Sequence, residues 1–467
     1  MTPRAARFFA TLILAASSAA AQNDDPLAAG RKALRNDGVA TAWRLAQQTL
    51  SDHPQLPAAH EFAAEVLFRR GEFAQAEAEF QSAAKLDSKH ALAWWGLARV
   101  SECESMNKTA REYFQRAYDL DPKEPRILRD WAMRQPGQRL TGELEKNPSP
   151  LTDSSDPEDY EQRLQLAKAA QGRTLNVLVS PYRKTEIPLA PLMNNGTRMR
   201  SYGLDVSVNG TVLRLLLDTG ASGIVLPRRA AERAGVTRLA QATLRGFGDS
   251  SRPSAGYRGI AQRVRIGDVE YRDALISVAD QESIGIADGL IGTNVFAPFL
   301  ITLDFAGRTL RLDPLPGYQP AASPIQDRVV PPGLEHAARV FRFGHLLLLP
   351  TRVNGSRESL FVLDTGADRT LISYDLASEV SRLAPDARMR MSGINGRVVD
   401  LYQTGDVTLQ FAGFEQKSLG MSSIDTWEQS RRVGTEISGF LALPVLDLFT
   451  LTIDYRDGLV NFARKAN

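Results

Sequence analysis

Cysteine is almost absent from this sequence. Cys103 is the only one in 467 residues, which excludes intrachain disulfides and cysteine-built zinc sites. It reads as a small buried helix residue rather than a reactive thiol. Histidine is also scarce. His53, His60, His90, His336 and His345 show no metal-ligand spacing, so no metal is expected. A dominant charge is lacking as well. The formal net charge is +2, and Arg4 and Arg7 lie in a segment expected to be removed. The remaining chain is then near neutral, which gives no reason to expect nucleic acid or an anionic membrane as partner. No apolar run reaches the ~20 residues that a membrane helix needs. No glycine loop suited to phosphate appears, so no cofactor is expected. Ser222 sits in Gly220-Ala221-Ser222-Gly223 and not in a nucleophile elbow. Asn107-Lys108-Thr109 and Asn354-Gly355-Ser356 match the glycosylation pattern and are read as incidental.

What is present begins at the N-terminus. Arg4 and Arg7 precede an apolar run from Phe8 to Ala16, and Ala19-Ala20-Ala21 offers a small-residue cleavage site. Residues 1–21 read as a secretory signal peptide. The protein is expected to be exported, periplasmic or secreted, with no membrane insertion after signal removal. No cysteine at the cleavage point offers a lipid anchor, and an Ala-rich signal without disulfides suits a bacterial periplasm.

Residues 24–135 carry helical periodicity with a repeat. Ala76, Phe80, Ala83, Leu86 and Asp87 recur 34 residues later as Ala110, Phe114, Ala117, Leu120 and Asp121. Ala42, Ala46 and Thr49 mark an earlier, weaker copy. Trp94, Leu97 and Ala98 occupy front-helix positions, and Ile127, Leu128, Trp131 and Met133 begin a capping helix. A helical hairpin cannot bury its apolar face alone. Small residues admit the next helix, and aromatics fill the groove between. The period and the small-aromatic-small spacing resemble the tetratricopeptide repeat. Such an array binds a peptide or a protein partner in its concave face, or serves as a spacer packed on the rest of the chain. Residues 136–174 read as a linker containing a short helix over 158–171.

Near Leu175 the period becomes extended and stays so. One phrase is then written twice. Leu215-Leu216-Leu217-Asp218-Thr219-Gly220-Ala221 is the first copy, and Phe361-Val362-Leu363-Asp364-Thr365-Gly366-Ala367 is the second. Each is a buried strand that ends in Asp, followed by a turn that Gly permits. A carboxylate at the end of a rigid element is well placed for chemistry. One such Asp is usually a turn former; two with matching surroundings point to function. Val208-Asn209-Gly210 and Val353-Asn354-Gly355 precede the copies as hairpin turns. Asp288-Gly289-Leu290-Ile291-Gly292 and Ser438-Gly439-Phe440-Leu441-Ala442 follow, and then Phe299 to Phe305 and Phe449 to Tyr455. The offset runs from 145 at Asn209/Asn354 through 146 at the aspartates to 150 at Phe299/Phe449. This is a duplicated lobe, residues 175–314 and 339–467, joined by a Pro-rich linker over 315–338.

These motifs resemble the aspartic peptidases, with retropepsin-type Asp-Thr-Gly-Ala phrases placed twice in one chain as in pepsin-like enzymes. The resemblance covers about residues 175 to 467. It implies a multidomain protein: an α-helical, tetratricopeptide-like solenoid followed by an all-β, two-lobed aspartic peptidase fold. It implies an aspartic endopeptidase whose active site forms within one molecule and whose substrate is a peptide or protein. Asp218 and Asp364 would be the catalytic pair. Thr219, Gly220, Thr365 and Gly366 would support it, the threonines locking the two loops together. Flaps over the substrate would fall at Gly246, Phe247 and Gly248 in lobe one and at Gly393 and Ile394 in lobe two. Ala442 stands where lobe one has Gly292, and is expected to disturb the loop beside Asp364, because Ala resists positive φ. Two other readings stay open. The lobes could be a non-catalytic peptide holder, with the repeats carrying the function. Each lobe could also pair with its counterpart in another molecule.

Ala221 and Ala367 stand where pepsin-like enzymes have a hydroxyl residue able to favour the charged carboxylate. Without it the pair should hold its shared proton to higher pH. The pH profile of peptide cleavage should therefore have its optimum above pepsin's. A maximum below about pH 3, where an unperturbed Asp is already protonated, would contradict this.

Overall fold

A computed structural model of the chain describes residues 26–36, 38–135, 142, 157–170, 172–194, 198–244, 246, 254–281, 286–316, 327–385, 391–393, 396–398 and 401–464. The expected signal segment and the flap positions Phe247, Gly248 and Ile394 lie outside the described residues.

The N-terminal helices are Ala28–Arg35, Val39–Asp52, Pro57–Arg69, Phe73–Leu86, Ala91–Cys103, Asn107–Leu120 and Pro125–Ala132. Pro57 and Pro125 occupy first helical positions, where the missing N–H costs nothing. The small and aromatic repeat positions pack as their spacing requires, whereas Leu86 and Leu120 are exposed. Ala76, Phe80, Ala83, Ala110, Phe114 and Ala117 are all buried. Gly96 shows why small residues are needed: a Cβ there would lie 2.1 Å from the Phe80 ring. Ile127, Leu128 and Trp131 are buried in the last helix, and Trp131 stacks on Tyr118 with centroids 3.8 Å apart. Cys103 is buried, as its position implied. The linker helix runs over Pro157–Ala169.

Each β lobe is built on the same frame. The hairpin Arg198–Val208/Thr211–Asp218 turns at Asn209 and Gly210, with φ of 49° and 91°. Asn354 and Gly355, with φ of 52° and 73°, turn the chain before Ser359–Asp364. Positive φ at both central residues is the tight turn whose twist suits a hairpin. Strand Thr211–Asp218 pairs in parallel with Gly289–Gly292, which places Gly292 beside Asp218. Strand Ser359–Asp364 pairs in parallel with Gly439–Ala442, which places Ala442 beside Asp364. The expected disturbance at Ala442 does not occur. Its φ is −87° and that of Gly292 is −73°, both extended. Gly292 is small for another reason: a Cβ there would stand 2.2 Å from the Ala221 carbonyl.

The lobes do not close separately. Phe299–Asp304 and Phe449–Asp454 pair antiparallel inside one six-stranded sheet. Thr302 faces Thr452, its own counterpart at the offset of 150, and their hydroxyls are 3.4 Å apart. Pairing of equivalent residues is what a local twofold axis requires.

The helical region is docked on lobe two through a shared core. Phe68, Phe73, Leu97 and Val100 pack with Leu348, Leu360, Val362 and Phe440. The Phe73 ring lies 4.4 Å from Phe341, and Phe68 lies 6.2 Å from Phe343. Polar contacts close the seam. The Thr435 hydroxyl donates to the Phe68 carbonyl at 2.8 Å, and the Glu436 N–H donates to the Arg69 carbonyl at 2.8 Å. Both carbonyls lie at the end of helix Pro57–Arg69; that of Phe68 also accepts the Gly71 N–H, and that of Arg69 takes its partner from the other domain. Asp327, ahead of lobe two, accepts the N–H groups of Lys108 and Thr109 and so caps helix Asn107–Leu120.

Because repeats and lobe two share a core, heating should melt them in one transition. Phe73→Ala should cost about 3–5 kcal/mol and move that transition as a whole. Calorimetry checks this; two transitions, of which the substitution moves only one, would contradict the shared core.

Candidate active site

Asp218 and Asp364 each end a strand whose preceding residues are buried. The turns that follow are tied to each other. The Thr365 hydroxyl donates to the Leu217 carbonyl at 2.9 Å and accepts the Thr219 N–H at 3.1 Å. The Thr219 hydroxyl donates to the Leu363 carbonyl at 2.7 Å and accepts the Thr365 N–H at 2.9 Å. Each threonine thus satisfies the strand end of the other lobe, with both side chains buried. The structure brings together the six residues expected at the centre: Asp218, Thr219, Gly220, Asp364, Thr365 and Gly366.

The carboxylates are held from below by their own turns. The Gly220 N–H donates to Asp218 Oδ1 at 2.8 Å. The Gly366 and Ala367 N–H groups both donate to Asp364 Oδ1 at 3.0 Å. Glycine is needed here for closeness. A Cβ on Gly366 would stand 2.5 Å from Asp218 Cγ, and one on Gly220 would stand 3.2 Å from Asp364 Cγ.

Electrostatics follow from this placement. Burial raises the pKa of Asp218 above the usual carboxylate value, against the pull of the Gly220 and Ala221 N–H groups. Asp364 is raised well above it, by burial first and then by the charge of Asp218. Two carboxyls in one dry site resist double ionisation and share a proton.

Three neighbours escaped sequence reasoning. His345 stands beside the first turn, with Nε2 donating to the Gly220 carbonyl at 3.2 Å. Burial lowers its pKa and favours the neutral ring. Ser201 Oγ donates to the Thr365 carbonyl at 3.3 Å. Arg200 pairs with Asp368 across the lobes at 3.1 Å. Arg200 and His345 are 145 residues apart, the offset of Asn209 and Asn354. Each lobe therefore sends a side chain from the same place to the other lobe's turn. The duplication offset was the signal that could have found them.

The flap positions are less uniform. In lobe one, strands Thr237–Leu244 and Ser254–Ile266 form a hairpin, and Gly246 near its tip lines the cleft. In lobe two, Met391–Gly393 pairs with Gly396–Val398, with Gly393 opposite Gly396. The linker helix Pro157–Ala169 lies on the lobe-one hairpin, where Gln162 accepts the Thr243 N–H at 2.8 Å. The cleft opens into a cavity of about 1890 Å³ that runs from the two aspartates to the helical repeats.

The raised carboxyls imply a stability signature. An unfolded Asp titrates near pH 3.9, so above that pH the folded state binds more protons than the unfolded state. Stability then falls as pH climbs towards the raised native values. Asp364→Asn removes this penalty. Its melting temperature should exceed the wild type's at about pH 7, and the two should converge at about pH 3. A variant less stable than wild type at neutral pH would contradict the shifts.

The family model described as aspartyl protease matches residues 204–295 and 349–443, one segment in each lobe. The tetratricopeptide repeat model matches residues 27–91 and 63–125. Among curated proteins no match was found. Among solved structures, the chain is similar to the aspartic proteinase from Irpex lacteus, at 13% identity and a TM-score of 0.38. That similarity covers 61% of this chain and 98% of the other. The chain thus joins tetratricopeptide repeats to a two-lobed β unit that carries the aspartyl protease family pattern twice, one Asp-Thr-Gly turn from each lobe meeting at a single site.

Proposed function

We propose that this protein is an aspartic endopeptidase that hydrolyses peptide bonds with a water activated between Asp218 and Asp364. The reading rests above all on the reciprocal threonine lock, which holds two carboxyls with raised pKa in one cleft. A pair that shares one proton can do both halves of the reaction. Its ionised member takes a proton from water as the water attacks the amide carbonyl. Its protonated member donates to the carbonyl oxygen. The pair titrates as a unit, so the proton belongs to both. The turn N–H groups fix the carboxylate planes, which limits reorganisation as charge moves. His345, neutral and bonded to the Gly220 carbonyl, braces the turn that carries Asp218. The helical repeats recruit a protein or substrate, and the protein works as an exported enzyme.

The test is cleavage of an unbiased peptide mixture between about pH 3 and pH 8 by wild type, Asp218→Asn and Asp364→Asn. Wild type should cleave, and each substitution should lower the rate by at least about 10²–10⁴-fold. A folded wild type that cleaves nothing would favour a peptide-holding role for the same cleft.

A further inference from the structure

One face of the repeats and the cleft between the lobes line one cavity. Its described lining runs from Arg35, Glu65 and Arg126 on the helices to Asp218 and Asp364 on the strands. The lining is unlike the rest of the chain. Over the whole sequence, 56 basic residues face 54 acidic ones. Among the described residues of the cavity wall there are fourteen arginines, no lysine and seven carboxylates, two of which are the catalytic candidates themselves. Positive charge is concentrated about two to one in this space while the chain as a whole is balanced.

The type of cation matters as much as the count. Arginine presents a planar fork that matches a carboxylate, whereas lysine is a point charge. Here the forks are held in place by rings. Arg99 lies 4.0 Å over the Phe68 ring and 4.3 Å over Trp95, and Arg126 lies 5.3 Å from the same Trp95. Part of the charge is met internally. Arg31 pairs with Glu61, Arg99 with Glu65, Arg126 with Glu124, Arg129 with Asp130, Arg134 with Glu102, Arg200 with Asp368 and Arg432 with Glu428. By count the arginines of the described wall still exceed its carboxylates. Arg342 shows it best: it lies where the repeats meet lobe two and lines the cavity. It donates to the Tyr455 carbonyl at 2.6 Å and to Asn107 Oδ1 at 3.5 Å. No described carboxylate forms an ion pair with it.

We infer that the repeats and the cleft form one extended substrate site whose arginine-lined wall selects peptides or proteins with acidic residues flanking the cleaved bond. The inference rests on the peptidase reading for the bond that is cut, and on the charge of the wall for the choice of substrate. The repeats are then a part of the specificity site. Their shared core with lobe two keeps the two halves of the groove in fixed relation, so a substrate that spans both gains from each at little cost in ordering the enzyme.

The experiment uses the full chain and matched peptides that share one cleaved core and differ in their flanks: glutamate and aspartate, glutamine, or lysine. The acidic-flank peptide should show kcat/KM at least about tenfold above the glutamine peptide, mainly through KM. The advantage should shrink between about 0.05 M and about 0.5 M salt, as screening shortens the reach of charge. In Arg35→Gln/Arg126→Gln the acidic-to-glutamine ratio should fall towards one, and because it is a ratio it stands apart from overall loss of active protein. Equal cleavage of acidic and glutamine flanks by wild type, or preference for lysine flanks, would overturn the inference. If no peptide is cut, fluorescence anisotropy of the same labelled peptides on Asp218→Asn decides separately. Binding of the acidic peptide over the glutamine one supports the charged wall although the peptidase reading has failed. Equal binding, or preferred binding of a single-stranded oligonucleotide, overturns it.

Discussion

The structure depends on the exchange between Thr219 and Thr365. Each hydroxyl donates to a carbonyl of the other lobe and accepts an N–H from the other turn. All of these groups are buried. A missing partner would leave a buried donor or acceptor bare, at about 1–3 kcal/mol each. The exchange therefore fixes the distance between the two turns, and with it the distance between the carboxyls. Everything electrostatic about the site follows from that closeness. Burial raises both aspartates, and the nearness of Asp218 raises Asp364 further.

A second constraint lies beneath the first. Strands Phe299–Asp304 and Phe449–Asp454 pair across the local twofold, so neither lobe can move far without breaking a sheet. The lock at the turns and the sheet behind it act on the same axis. The repeats add a third attachment, through Phe68 and Phe73 to the hydrophobic face of lobe two. The helical region is thus built into the same body as the cleft. This is why one of its faces lines the same cavity as the aspartates.

Much of this was legible in the sequence. The helical period of 34, the Asn-Gly hairpins and the paired Asp-Thr-Gly turns are local patterns. Each states a backbone requirement in a few residues: a small residue under a ring, positive φ at a turn, a strand that ends in a carboxylate. The linker helix and Cys103 also lie as their surroundings implied. The expectation about Ala442 failed for a local reason as well. The strand there is extended, so alanine costs nothing, while Gly292 answers to the nearby Ala221 carbonyl.

What the sequence determined by itself was the existence of two equivalent lobes, the identity of the two carboxylates and the repeat character of the N-terminal helices. Those follow from periodicity and from short-range chemistry. What only the tertiary structure decided was how far apart in sequence the partners lie. His345 meets Gly220, Arg200 meets Asp368, and Thr435 meets Phe68. The arginines of the repeats and the aspartates of the lobes face one cavity although they stand scattered along the chain. Such contacts carry no local pattern. Their free energy comes from burial and charge brought together by folding, and no window of the sequence contains both members.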